Sequence, residues 1–156
     1  MNRLISDKNR IPLALSMNPA GYCELYSMDK TDKRVEKLHQ IDCASHWRKH
    51  WKDVAICHIV NESADLPAQY RSQLRQMGLE KGASDIQVNH RSHCGRFGFA
   101  AVELKRATKT LASAVSEEQS EWLVKSIKGG GFGVVCYGWK SFMIFMRWYL
   151  DGVITE

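Results

Sequence analysis

Gly82-Ala-Ser-Asp-Ile-Gln-Val88, followed after a polar stretch by Arg96-Phe-Gly-Phe-Ala-Ala-Val-Glu-Leu-Lys-Arg106, is the part of this 156-residue sequence that decides the fold. Ser84–Val88 alternates in polarity and reads as a short strand, and Phe97–Leu104 (FGFAAVEL) reads as a second, apolar one. Asn89–Gly95 (NHRSHCG) between them is turn-like, so the pair forms a hairpin with a long connection. Strand side chains alternate faces, which puts Glu103 and Lys105 on one face and Leu104 on the other. If the strands pair, Asp85 and Glu103 converge at one edge of the sheet.

Two carboxylates held together repel, and one takes up a proton unless a cation sits between them. A divalent ion such as Mg²⁺ or Mn²⁺ resolves the conflict. Mg²⁺ prefers hard oxygen ligands and keeps several waters, so two carboxylates suffice when a phosphate supplies the rest. The backbone carbonyl of Leu104 is a further oxygen donor. Such an ion activates water, and Lys105 beside it stabilises the negative charge that builds on phosphorus. Acid, acid and lysine at this spacing therefore point to metal-dependent phosphodiester hydrolysis. A lone Glu-x-Lys is an ordinary charge pair on a solvated strand; here it ends the apolar run FGFAAV, where gratuitous charge is unexpected.

Outward from this segment the periodicity predicts a helix over Thr31–His50, with Val35, Leu38, Ile41, Ala44 and Trp47 on its apolar face. Val54–Val60 (VAICHIV) reads as a strand and Pro67–Met77 as a helix stopped by Gly78. Ser116-x-x-Gln119 matches a capping box opening a helix that runs to Lys128 and stops at Gly129–Gly131. Phe132–Tyr137 (FGVVCY) reads as a buried strand. Lys140–Leu150 is a final helix, apolar on all sides and so either deeply buried or part of a subunit interface. The order predicts an α/β fold, a mixed sheet flanked by helices. Residues 1–30 lack clean periodicity and read as an N-terminal extension or appendage to a single domain over 31–156.

Composition sets the outer bounds. With 44% hydrophobic and 25% charged residues, three Pro and eleven Gly, the chain is neither collagen-like, disordered nor coiled-coil. No apolar run approaches the roughly 18 residues that span a bilayer, and the broken apolar patch near the start does not read as a signal peptide. A net charge of +5 fits a polyanionic partner. Five scattered cysteines without a CxxC pair read as free thiols of a reducing, cytoplasmic compartment. His39, Cys43, His46 and His50 share one helix stripe, but one straight helix does not wrap an ion, so the stripe reads as a packing face with Trp47 and Trp51 nearby. No GxSxG, HExxH or P-loop is present. His90 and His93 read as exposed residues of the polar loop, and Arg71, Arg75, Lys81, Arg91, Arg96, Arg106 and Lys109 cluster in sequence around the proposed site, suited to backbone phosphate contact.

Together, GASDIQV, AVELKR, SEEQSEWL and GGGFGVVCYGW resemble the virus-type replication-repair nuclease (VRR-NUC) domain of the PD-(D/E)XK superfamily, over roughly residues 36–150. Ser84 stands where many relatives have Pro. The resemblance implies a restriction-endonuclease-like core in which Asp85, Glu103 and Lys105 are catalytic, with Gln119 near them as a further catalytic candidate, although the capping box alone also explains Gln119. It further implies a metal-ligating carboxylate on the first helix, for which Glu36 is chosen over Glu24 and Glu62, and a polar loop near the site at Asn61. Metal ligands are then Glu36, Asp85, Glu103 and the Leu104 carbonyl; Asn61, Arg91, Arg96 and Arg106 are candidate substrate contacts. The implied activity is a Mg²⁺- or Mn²⁺-dependent DNA endonuclease, a homodimer of phage or bacterial type that cuts branched DNA such as four-way junctions. The alternatives are a non-catalytic DNA-binding module with this fold, or a less selective nuclease acting on duplex DNA or RNA.

Overall fold

Two adjacent six-residue runs, Ala100–Lys105 (β5) and Phe132–Tyr137 (β6), are buried along their whole length and lie parallel at the middle of the sheet. Continuous apolar character suits strands covered on both faces. The computed structural model describes residues 11–60 and 66–154. Around the central pair stand β1 (Leu15–Met17), β2 (Cys23–Tyr26), β3 (Ile56–His58) and β4 (Ile86–Val88), giving one mixed six-stranded sheet in the order β1-β2-β6-β5-β4-β3. β4 pairs antiparallel with both β5 and β3, whereas β2 runs parallel to β6.

Alternation along β5 and β6 sorts the core into two layers. Val102, Leu104, Val134 and Cys136 face helices α1 (Glu36–His50) and α4 (Gly138–Met146), while Ala101, Val135 and Tyr137 join Leu123 of α3 (Glu117–Lys128). At Gly133 of β6 a Cβ would lie 2.8 Å from the Leu123 carbonyl oxygen, so the missing side chain lets α3 press directly onto the sheet. Helix α2 (Ala68–Gln76) buries no residue.

Two expectations change, and of the two readings of the last helix the buried one holds. The described part of residues 1–30 is not an appendage: β2 is hydrogen-bonded beside β6, with Leu25 fully buried opposite Cys136. Strands of three and four residues are too short to show a periodicity. On α1 the buried stripe is His39, Cys43 and Trp47; Val35, Leu38 and Ile41 are exposed. The histidine–cysteine stripe is thus a packing face, and His46 stacks on Trp139 at 4.7 Å between ring centroids. Finally, α4 lies buried against α1, β2, β5 and β6, and Trp148 and Tyr149 in the π-helical turn Arg147–Asp151 are buried too. Its all-round apolar character is accounted for inside the protomer, not by a subunit contact.

Candidate active site

The register Ile86↔Val102 and Gln87↔Ala101, carried one step further, sets Asp85 opposite Glu103 at the C-terminal end of β5. Two features hold that end of the hairpin. Gly82 adopts φ +84°, and a Cβ there would strike the backbone of Glu118, so the chain passes against the first turn of α3 only as glycine. Beyond it, Asp85 Oδ2 accepts the Leu104 N–H at 2.7 Å.

Glu103 and Lys105 are 1% and 2% exposed, which for two charged side chains demands partners. Lys105 Nζ lies 3.3 Å from Glu103 Oε1 and donates to Gln119 Oε1 at 3.2 Å and to Ser113 Oγ at 3.3 Å. Gln119 Nε2 donates to Glu103 Oε1. Gln119 also closes the capping box: its Oε1 accepts the Ser116 N–H at 2.9 Å while Ser116 Oγ accepts the Gln119 N–H at 3.2 Å. Gln119 therefore closes the capping box and at the same time touches both Glu103 and Lys105.

The acidic pair is electrostatically unhappy. The Asp85 and Glu103 carboxyls are within hydrogen-bonding reach of each other. Burial, then the Asp85 charge, pushes Glu103 up to about 8, only partly opposed by Lys105. Burial also raises Asp85, against the pull of the Leu104 N–H and Lys105. Glu103 Oε2 is buried with no hydrogen-bond partner. Two close carboxyls and an orphaned oxygen can together serve as donors to a hard divalent cation, which would displace the shared proton. Among the described residues no group of three or more His, Cys, Asp or Glu converges as a ready-made cage. Mg²⁺ tolerates this, because it keeps waters and accepts phosphate oxygens.

A cleft of about 310 Å³ opens at this end of the sheet, and Glu36, Lys37, His58, Asp85 and Leu104 line it. Glu36 thus reaches the rim from the first turn of α1, and its charge is felt by Glu103. Arg106 does not point to the cleft: its guanidinium donates to the Lys33 and Arg34 carbonyls, tying the approach to α1 onto the end of β5. Arg91 and Arg96, with His90 and His93, lie in the 89–99 connection at the opposite end of the hairpin, three residues or roughly 10 Å from Glu103 along β5 at about 3.4 Å per residue. Arg91 caps the Gly95 carbonyl there, and His93 packs edge-on against Trp148. Closeness in sequence to a hairpin is not closeness to one of its ends. Asn61 and Glu62 lie outside the described residues, and Glu24 is engaged by the Tyr137 hydroxyl at 3.1 Å.

Two neighbours escape sequence reasoning. Ser113, in the irregular stretch before α3, carries no motif. His58 sits in VAICHIV as one more strand residue, yet its Nδ1 lies 2.7 Å from the Asp85 carbonyl oxygen.

An α/β core of this order, with an Asp-to-Glu-x-Lys hairpin beside a glutamine-bearing helix, is the restriction-endonuclease-like PD-(D/E)XK fold. No protein-family model and no curated protein matches the chain. A solved structure described as a VRR_NUC domain protein superposes with a TM-score of 0.60 at 19% identity, covering 79% of this chain and 93% of that one. At the level of the fold, this bears out the resemblance read from the sequence.

Proposed function

We propose that the protein is a Mg²⁺- or Mn²⁺-dependent endodeoxyribonuclease. The observation that carries this reading is the pairing of half-buried Asp85 with buried Glu103, both members raised and Glu103 Oε2 unpartnered, with Lys105 and Gln119 fixed around it. A divalent ion held by Asp85 and Glu103, with Glu36 and the Leu104 carbonyl as further donors, supplies charge neutralisation and water activation. Lys105 brings a cation to the reacting phosphate, where negative charge accumulates. Gln119 holds Glu103 and Lys105 in register, and the Leu104 N–H keeps Asp85 oriented.

The preferred substrate in this reading is branched DNA, cut by a homodimer whose twofold axis presents two equal sites to a twofold junction. Most of α4 is buried, so in this reading the dimer contact is drawn chiefly from other elements.

Incubation of labelled four-way junction, linear duplex and RNA with the protein tests both levels. Cleavage with Mg²⁺ or Mn²⁺, none in excess chelator, and none from Asp85→Ala or Glu103→Ala is expected. Lys105→Ala should fall by at least about 100-fold in turnover. A gel shift without cutting under every metal condition would leave the DNA-binding-module reading in its place.

A further inference from the structure

The 310 Å³ cleft does not end at Asp85. It shares Gln40, Ile41 and His58 with a second cleft of about 670 Å³ between α1 and the edge strand β3, so the two form one groove. Its electrostatic character changes along its length. At the Asp85 end Glu36 and Asp85 outnumber the one cation, Lys37; the far part is lined by Arg48 and Lys52, with no carboxylate among its lining residues. From Glu36 to Arg48 the helix rises about 18 Å at 1.5 Å per residue. The walls there include Trp47, Trp51 and Ile56. Where the two clefts meet, Gln40 Nε2 is buried without an acceptor.

A cationic channel with aromatic and aliphatic walls, leading away from a phosphate-cleaving site, has the chemistry of a single-strand tract: cations for phosphates and apolar walls for unpaired bases. Its volume is that of a small-molecule pocket, roughly 300–1,000 Å³, which admits unstacked bases and not a duplex. We infer that the α1–β3 groove holds a single-stranded nucleic-acid flank of the substrate, its phosphates at Arg48 and Lys52 and an acceptor edge of a base at Gln40. The inference rests on the nuclease reading and adds to its branched substrates those in which a duplex carries an unpaired arm.

The test is metal-free binding, so it does not depend on cleavage. Fluorescence anisotropy in chelator compares a blunt duplex with the same duplex carrying a single-stranded arm, across a salt series, for the full chain and for Arg48→Ala/Lys52→Ala. Both substituted side chains are exposed, away from the core. The unaltered protein should bind the armed duplex more tightly and with a steeper salt dependence. The double variant should lower that salt slope by about 1.4, at about 0.7 per phosphate contact on a single strand, and leave blunt-duplex binding unchanged. Equal affinity of the unaltered protein for both probes overturns the inference. So does a variant that weakens both probes alike, or one that changes oligomeric state in light scattering while arm binding persists. Armed-duplex preference without cleavage under any metal would instead strike at the nuclease reading alone.

Discussion

Removing the charge at Glu103 should reveal what the site costs the fold when no metal is bound. Between pH 4.5, the ordinary value for a glutamate, and about 8, the folded chain retains a proton that the unfolded chain has released. Native protein binds more protons in that window, so stability falls as pH rises through it and levels off above. At about 1.4 kcal/mol per pH unit the loss reaches a ceiling of about 5 kcal/mol, a ceiling because Asp85 shares the proton. Glu103→Gln keeps the shape and stays neutral. In chelator at pH 8.5 it should melt well above the unaltered protein, at about 2–4 °C per kcal/mol for a chain of this length, and the two should converge near pH 5. Adding Mg²⁺ should raise the melting temperature of the unaltered protein at pH 8.5, hardly at all at pH 5, and leave the variant unmoved. Thermal melts by circular dichroism across pH 5–9, with and without Mg²⁺, read this directly. Parallel melting curves for the two proteins at every pH, or an equal Mg²⁺ effect on both, would refute the strained-pair argument.

Gln119→Glu keeps the capping acceptor but replaces the donor facing Glu103 with a third carboxyl; cleavage should collapse while peptide-like helicity at α3 persists, whereas Gln119→Ala should also lose about 1 kcal/mol of helix capping in denaturant melts. Gly82→Ala should cost at least about 1–3 kcal/mol in urea titrations, because its φ is left-handed and the new methyl meets Glu118. Ser84 is fully buried with an unpartnered hydroxyl, so Ser84→Ala should be neutral or stabilising by about 1 kcal/mol; a loss of that size would mean the hydroxyl has a partner after all.

How far the chain explains itself depends on the length of each signal. β6, the capping box at Ser116 and the Asp85–Glu103 pairing were legible because a buried run, a local side-chain motif and strand alternation each leave their mark within a few residues. The core-facing side of α1 was legible only in part: Ala44 and Trp47 pack on the core as hydropathy predicts, but a histidine and a cysteine complete the buried stripe while Val35, Leu38 and Ile41 are exposed. Arg91 and Arg96 lie at the other end of the hairpin from Asp85 and Glu103, a separation that sequence numbering does not show. Arg106 looked like a free cation because nothing in one sequence announces that the Lys33 and Arg34 carbonyls, more than seventy positions earlier, will claim it.

The insertion of β2 alongside β6 bears on any attempt to trim the protein. A fragment beginning at residue 31 would strip two strands from one flank and leave the long, apolar β6 with unpaired amides and carbonyls facing solvent. Such a border invites another chain to dock onto it. Strands β1 and β2 therefore serve as a seal, and removing them trades a closed border for a sticky one.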